Sequence, residues 1–145
     1  MMRRALVQAD LAGERGEVPV GAVVLDPVGE VIGVGGNERE ASCDVCAHAE
    51  IVAMRRAVQV LGDGWRLPGC TLVVSLEPCV MCAGAITAAR IERVVFGAFD
   101  PKAGAVASLF DLLRDPRLLH RVEVTSGIMA TEAERRLKDF FAARR

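Results

Sequence analysis

The sequence predicts an α/β domain in which helices cover a mixed sheet of five strands. Three observations carry that expectation. Valine-rich runs of strand length alternate with segments of helical spacing. Gly, Pro, Asn and Asp gather between those segments as turn chemistry. The 145 residues, 52% hydrophobic and 26% charged, have the size and balance of one globular unit. A chain of that length buries about 68–70% of the surface its unfolded form exposes, so a substantial core is available. No internal repeat, low-complexity tract or linker is visible, and residues 1–145 are read as one domain.

Each element has its own local reason. Ala5, Leu6, Ala9 and Ala12 recur at helical spacing, and Gly13-Glu14-Arg15-Gly16 ends that helix. Val18 to Leu25 is a valine-rich strand, Asp26-Pro27-Val28-Gly29 a turn, and Glu30 to Gly35 a second strand. Together they read as an antiparallel hairpin. Gly36-Asn37 leaves the sheet. Ala47 to Leu61 is a helix, apolar nearly all round and therefore mostly buried. Gly62 to Gly69 is a loop carrying the single tryptophan, Trp65. Thr71 to Leu76 has the composition of a buried strand. Pro78 suits the first position of a helix running to about Ala89. Arg93 to Phe99 is a strand, Ser108 to Leu113 a short helix ended by Asp115-Pro116, and Arg121 to Thr125 the last strand. Thr131, with Glu134 three residues later, has the pattern of a capping box for the final helix.

Composition narrows the function classes. The longest apolar runs fall far short of the roughly 18 residues of a membrane span. The first ten residues hold two arginines but no apolar stretch of signal-peptide type, so a cytoplasmic protein is expected. The net charge of −1 does not mark a nucleic-acid binder. Local charge is more suggestive: Arg135, Arg136, Lys138, Arg144 and Arg145 crowd the last eleven residues. That cluster is either a solvated helix face or a phosphate-binding edge, since arginine suits bidentate phosphate contacts. Five cysteines, an odd count, make a disulfide scaffold a poor explanation and direct attention to metal binding or catalysis.

The strongest chemical signal has two parts, His48-Ala49-Glu50 and Pro78-Cys79-Val80-Met81-Cys82. Each lies at a helix start. Cys79 and Cys82, three apart, share one side of a first helical turn. Side chains at a helix N-terminus lean beyond its end, so the two starts can converge on one metal ion. One imidazole and two thiolates give three protein ligands and leave a fourth position for water, the pattern of a catalytic zinc site. Glu50, close but not ligating, would then handle protons. A competing site uses Cys43, Cys46, Cys79 and Cys82 as four structural ligands. Its 32-residue gap exceeds the roughly 15–20 of zinc-ribbon patterns, and it leaves His48, Glu50 and Pro78 without a task.

His-x-Glu followed by Pro-Cys-x-x-Cys resembles the signature of the zinc-dependent cytidine and deoxycytidylate deaminase superfamily. Other blocks resemble its bacterial tRNA-specific adenosine deaminases: Glu17 to Val23, Ala47 to Ile51, Leu76 to Ala85, Arg93 to Ala98, Gly104-Ala105, His120 to Glu123 and Asp139-Phe140-Phe141. The resemblance implies a three-layer α/β/α fold with a mixed five-stranded sheet. It implies deamination of the wobble adenosine of a tRNA anticodon loop to inosine, with one zinc per subunit held by His48, Cys79 and Cys82 and Glu50 as proton shuttle. It places Asn37, Val20 and the backbone of Ala49 around the target base and Asp100 near its sugar. It places Phe141 and Arg144 against the RNA, and implies a homodimer. The runner-up is a deaminase of a free base or nucleoside of guanine or cytosine type; a third reading is a non-catalytic zinc module.

The chain departs from the pattern of the family it resembles just before His48. Asp44-Val45-Cys46 stands where that family usually has Asp-Pro-Thr. Cysteine caps a helix poorly where threonine caps it well, so a reshaped pocket wall beside His48 is expected.

Overall fold

The computed structural model describes residues 1–144; Arg145, counted above among the C-terminal basic residues, lies outside the described residues. The elements in chain order are α1 (Met2–Glu14), β1 (Gly21–Leu25), β2 (Val31–Gly36), α2 (Arg39–Ser42), α3 (Ala49–Leu61), β3 (Thr71–Leu76), α4 (Val80–Ala88), β4 (Arg93–Ala98), β5 (Glu123–Thr125) and α5 (Ala130–Ala142). The strands form one mixed sheet in the order β2-β1-β3-β4-β5. β1 pairs antiparallel with β2 and with β3, while β3–β4 and β4–β5 are parallel.

This topology brings distant residues together. β2 and β3 are both antiparallel to β1, so they run the same way and their C-terminal ends open on one edge of the sheet. α3 and α4 start just beyond that edge. Residue 48 thereby meets residues 79 and 82, although some thirty positions separate them.

Side chains alternate across the strands and divide the core in two. Ala22, Val24, Leu72 and Val74 pack with Ala53, Met54, Ala83 and Ile86 on the α3/α4 side. Val23 and Val73 pack with Met2, Ala5, Leu6 and Ala133 on the α1/α5 side. The result is a three-layer α/β/α fold. The seat of α3 depends on two glycines of β2. A Cβ at Gly35 would lie 2.7 Å from both the Ala49 carbonyl oxygen and the Ala53 amide nitrogen. One at Gly33 would lie 2.9 Å from Ala57 Cβ. Ala49, Ala53 and Ala57, four apart, form the matching small-residue face. Helix and strand therefore lie in direct contact, which sets where the α3 N-terminus ends.

Several local expectations need correction. No helix forms at 108–113. The Ser108 N–H is committed to the Glu77 carboxylate, Leu109 N–H bonds Gly104 O, and Leu112 N–H bonds Ala105 O, so an i→i−4 ladder cannot start. Thr131 caps nothing: α5 begins one residue before it, behind Met129 in a left-handed conformation with no side-chain cap. Pro78 lies just outside α4, since Cys79 is the N-cap residue. The N-cap of α3 is His48, so Cys46 does not hold the capping position that a threonine there was expected to supply. The single turn α2 lies in a segment read only as leaving the sheet. It is too short for periodicity to reveal, and the buried Glu17 anchors it, with Oε1 accepting from the N–H groups of Glu40 and Ala41 at 2.9 Å.

Candidate active site

His48 and Cys79 are the N-cap residues of α3 and α4. Both have extended backbones (φ −72°, ψ 153° and φ −77°, ψ 176°), and neither helix has a side-chain cap hydrogen bond. Cap positions usually filled by Ser, Thr, Asp or Asn are given over to an imidazole and a thiol. Cys82 is one turn into α4 and fully buried. The Cys79 and Cys82 Sγ atoms lie 3.7 and 3.5 Å from His48 Nδ1. The three ligand atoms fall within 4.8 Å of one another. Among the described residues no other group of His, Cys, Asp or Glu comes together in this way, so Cys43 and Cys46 do not join the site as the four-cysteine alternative required.

The electrostatics suit a divalent cation. A hydrogen bond from Cys82, joined by one from His48, holds the Cys79 thiol down to about 3, the direction that suits a metal-ligating sulfur. The hydrogen bond to Cys79 together with burial pushes the Cys82 thiol up. The hydrogen bond to Cys79 outweighs burial and raises His48. Two sulfurs with one imidazole and no carboxylate form a zinc-type donor set. Cys70 is different: fully buried at the start of β3, its thiol is pushed up to about 11 by burial and is inert.

A cavity of about 170 Å³ opens beside the trio. It takes in Val20, Asn37, His48, Glu50, Cys79 and Asp100, together with Arg39 and Glu77, to which sequence reasoning assigned no role. Glu50, the second residue of α3, is buried, and burial pushes its carboxyl above the ordinary range. Asn37 Oδ1 accepts the Ala49 N–H at 3.0 Å, which leaves the NH₂ group as its donor end. Ala49 itself is fully buried, and its N–H is spent on Asn37. Asp100 Oδ1 accepts the N–H groups of Lys102 and Ala103 at 3.0 and 3.2 Å.

Phe141 lies outside this cavity. It lines an adjoining apolar groove of about 760 Å³ with Phe99, Leu137, Lys102 and Lys138, and Val18, Leu76 and Asp100 border both spaces. Arg144 enters neither: its guanidinium stacks 3.5 Å above the Phe140 ring and donates to Gly16 O. A cleft of about 620 Å³ at the far end of the sheet, near Asp26, Thr71 and Arg93, also exceeds the active-site cavity but has no ligand trio. Chemistry rather than size therefore picks the site.

Glu77 is the main functional residue that sequence reasoning missed. It is buried, and burial alone would raise its carboxyl. Hydrogen bonds from Ser108, Asp100 and Ala107 outweigh that and hold it below the ordinary range. Its only sequence signal is an acidic residue next to Pro78.

The comparisons with known proteins agree with this geometry. The model of the cytidine and deoxycytidylate deaminase zinc-binding region matches residues 1–98, a span that holds all three ligand residues. The tRNA-specific adenosine deaminase of Haemophilus influenzae is 48% identical over all of this chain and 83% of its own length. A structure solved in a study of A-to-I editing by tRNA:A34 deaminases superposes with a TM-score of 0.89 at 48% identity, covering 94% of this chain and 97% of that one. A guanine deaminase from Nitrosomonas europaea is more distant, with a TM-score of 0.79 at 28% identity, covering 97% of this chain and 82% of that one. With the ligand trio inside the matched region and near-half identity along its whole length, this chain belongs to the zinc-binding cytidine and deoxycytidylate deaminase family, in the branch of the tRNA-specific adenosine deaminases.

Proposed function

We propose that this protein, as one deaminase domain over residues 1–145, hydrolyses the wobble adenosine, A34, of a tRNA anticodon loop to inosine. The observation that carries the reading is a buried carboxylate, Glu50, that shares a one-base cavity with His48 and Cys79 of the His48–Cys79–Cys82 trio. His48, Cys79 and Cys82 would hold a single zinc, which when bound activates water for hydrolysis. In the net reaction water oxygen bonds to C6, the C6–N6 bond breaks and ammonia leaves. Glu50 takes the proton from water, delivers it to ring nitrogen N1, and serves the departing amine with the next. Asn37 offers its NH₂ group to the nucleoside, Val20 packs against the base, and Asp100 stands by the sugar. The cavity is far below the roughly 300–1,000 Å³ of typical ligand pockets, so it takes one base turned out of any stack.

RNA supplies the rest of the contact. Phe141, half-exposed in the adjoining groove, gives a flat apolar face, and Lys102 and Lys138 give charge at its rim. Arg144 adds a phosphate contact at the end of α5. Arg144→Glu is expected to weaken stem-loop binding and reduce the slope of log affinity against log salt by about one. Fluorescence titrations across a salt series check this, and an unchanged slope removes Arg144 from the contact.

The reaction is tested with zinc-loaded protein on an anticodon stem-loop carrying A34, and separately on adenine, adenosine, guanine, cytosine and cytidine. Inosine at the wobble position with the small molecules inert is the expected result. Turnover of a free base with the stem-loop untouched overturns the RNA reading and favours the guanine-type activity of the more distant relative.

The working form is a cytoplasmic homodimer. α3 and α4 present an apolar groove lined by Ile51, Met54, Val58, Trp65, Ala85 and Ala89, and the Trp65 side chain is exposed. A second copy covers that surface. Sedimentation velocity is expected to give twice the mass of one 15.5 kDa chain, and Trp65→Arg to shift it toward the monomer. No helix among the described residues is long and apolar enough to cross a membrane.

A further inference from the structure

We propose that Glu77 is a positioning residue for the deaminase reaction, its carboxylate holding the 100–108 segment as a lip over the active-site cavity. The segment has no helix or strand of its own, apart from an isolated bridge between Gly104 and Cys79. What orders it converges on one buried side chain. Glu77 Oε1 accepts the N–H groups of Val106, Ala107 and Ser108 at 3.1, 2.7 and 2.8 Å. Oε2 accepts the Asp100 N–H at 3.0 Å and the Ser108 hydroxyl. The segment passes so close that a Cβ at Gly104 would strike the Glu77 carboxyl group.

Donor arithmetic separates this acid from the one that moves protons. A carboxylate offers about four lone-pair sites. Five donors already converge on Glu77, so nothing is left for a metal or a substrate proton. It borders the cavity, yet its oxygens are spent on the lip. The consequence is geometric. Asp100, at the start of the lip, is hung from Oε2 by its backbone N–H, and its own Oδ1 then shapes the turn through Lys102 and Ala103. Further along, the Ala105 N–H bonds Pro78 O and Gly104 bridges Cys79. Glu77 thus ties the substrate-facing lip to the strand end that carries the metal-ligating cysteine.

The charge pattern defines the test. Glu77→Gln keeps one acceptor oxygen, which the three-donor cluster of residues 106–108 claims. Its NH₂ group then faces the Asp100 N–H, donor to donor. Only the Asp100 end of the lip should open. Amide exchange by NMR is expected to speed by about tenfold or more at Asp100, while Val106, Ala107 and Ser108 stay protected. KM for the A34 stem-loop should rise about tenfold, the loss of one charge-assisted hydrogen bond, while kcat falls less than about threefold and zinc stays at one per chain. The KM arm rests on the proposed reaction; the exchange arm does not. If the wild type leaves the stem-loop untouched, that reading fails and amide exchange alone decides the lip. Gly104→Ala, which pushes on the carboxyl group from the lip side, provides a second variant should Glu77→Gln not fold, with the same KM rise expected. A protected Asp100 amide with unchanged KM overturns the proposal. So does a kcat collapse of about a thousandfold with the lip intact, which would make Glu77 a proton-transfer group instead.

Discussion

Glu50→Gln is expected to lower single-turnover deamination by about 10²–10⁴-fold while leaving the zinc content and the fold in place. Three carboxylates border the cavity, and their commitments differ. Glu77 is saturated by five donors. Asp100 spends Oδ1 on two backbone N–H groups of its own turn. Glu50 takes no backbone donor from a neighbouring segment. It is buried and lies two residues past the N-cap that supplies the imidazole. Burial pushes its carboxyl upward, toward the range where a group both takes and gives a proton near neutral pH. A glutamine keeps the shape and hydrogen-bonding capacity but cannot carry the proton. The variant also removes an ionisable group from a desolvated site, so the melting temperature should hold steady or rise. Rapid-quench kinetics, metal analysis and calorimetry on one preparation check all three. Activity within tenfold of wild type would mean that the proton moves by another route, and the role given to Glu50 would fall.

What the sequence revealed and what it hid have a common physical origin. The metal trio was legible because it obeys short-range rules: two ligands one turn apart on α4 and a third at the start of another helix. The sheet was legible because valine-rich strands and Asp-Pro/Gly turns are local signals. The lip at 100–108 was not. Its order comes from bonds to a carboxylate 23 to 31 positions away, and no periodicity records that. The false helix at 108–113 fails in part for this reason, since the Ser108 N–H goes to Glu77, while Leu109 and Leu112 bond back to Gly104 and Ala105 outside the segment. α2 escaped notice for the same reason, since Glu17 holds it from 23 residues upstream. The capping expectation at Cys46 assumed that α3 starts earlier than it does. In fact Asp44 Oδ1 accepts the Cys46 N–H and organises that approach, so the departure from Asp-Pro-Thr alters a turn rather than a helix cap.

Removing the metal should abolish activity and restoring one equivalent of zinc should return it. The apo chain is expected to stay folded. The α1/α5-side core holds no metal-ligating residue, and in the larger core Cys82 is one among many apolar side chains, so the packing does not hang on the ion. The melting temperature should still fall by about 5–10 °C, the size expected when a ligand bound at around a hundred times its Kd is withdrawn from a chain of this length. Cys82→Ala goes further. Cys82 is fully buried, so its loss removes a ligand that no side chain can swing in to replace. Two donors remain, and added zinc should fail to restore turnover. The contrast lies with the other pair. Cys43 is exposed, and its nearest polar partner is the carbonyl of Glu40 rather than any member of the trio. Cys43→Ser with Cys46→Ser should therefore retain one zinc per chain and most of the activity. Loss of zinc from that double variant, with Cys82→Ala still loaded, would move the metal to the first CxxC pair. The water-activating site would then have to be sought away from the α3 and α4 N-termini.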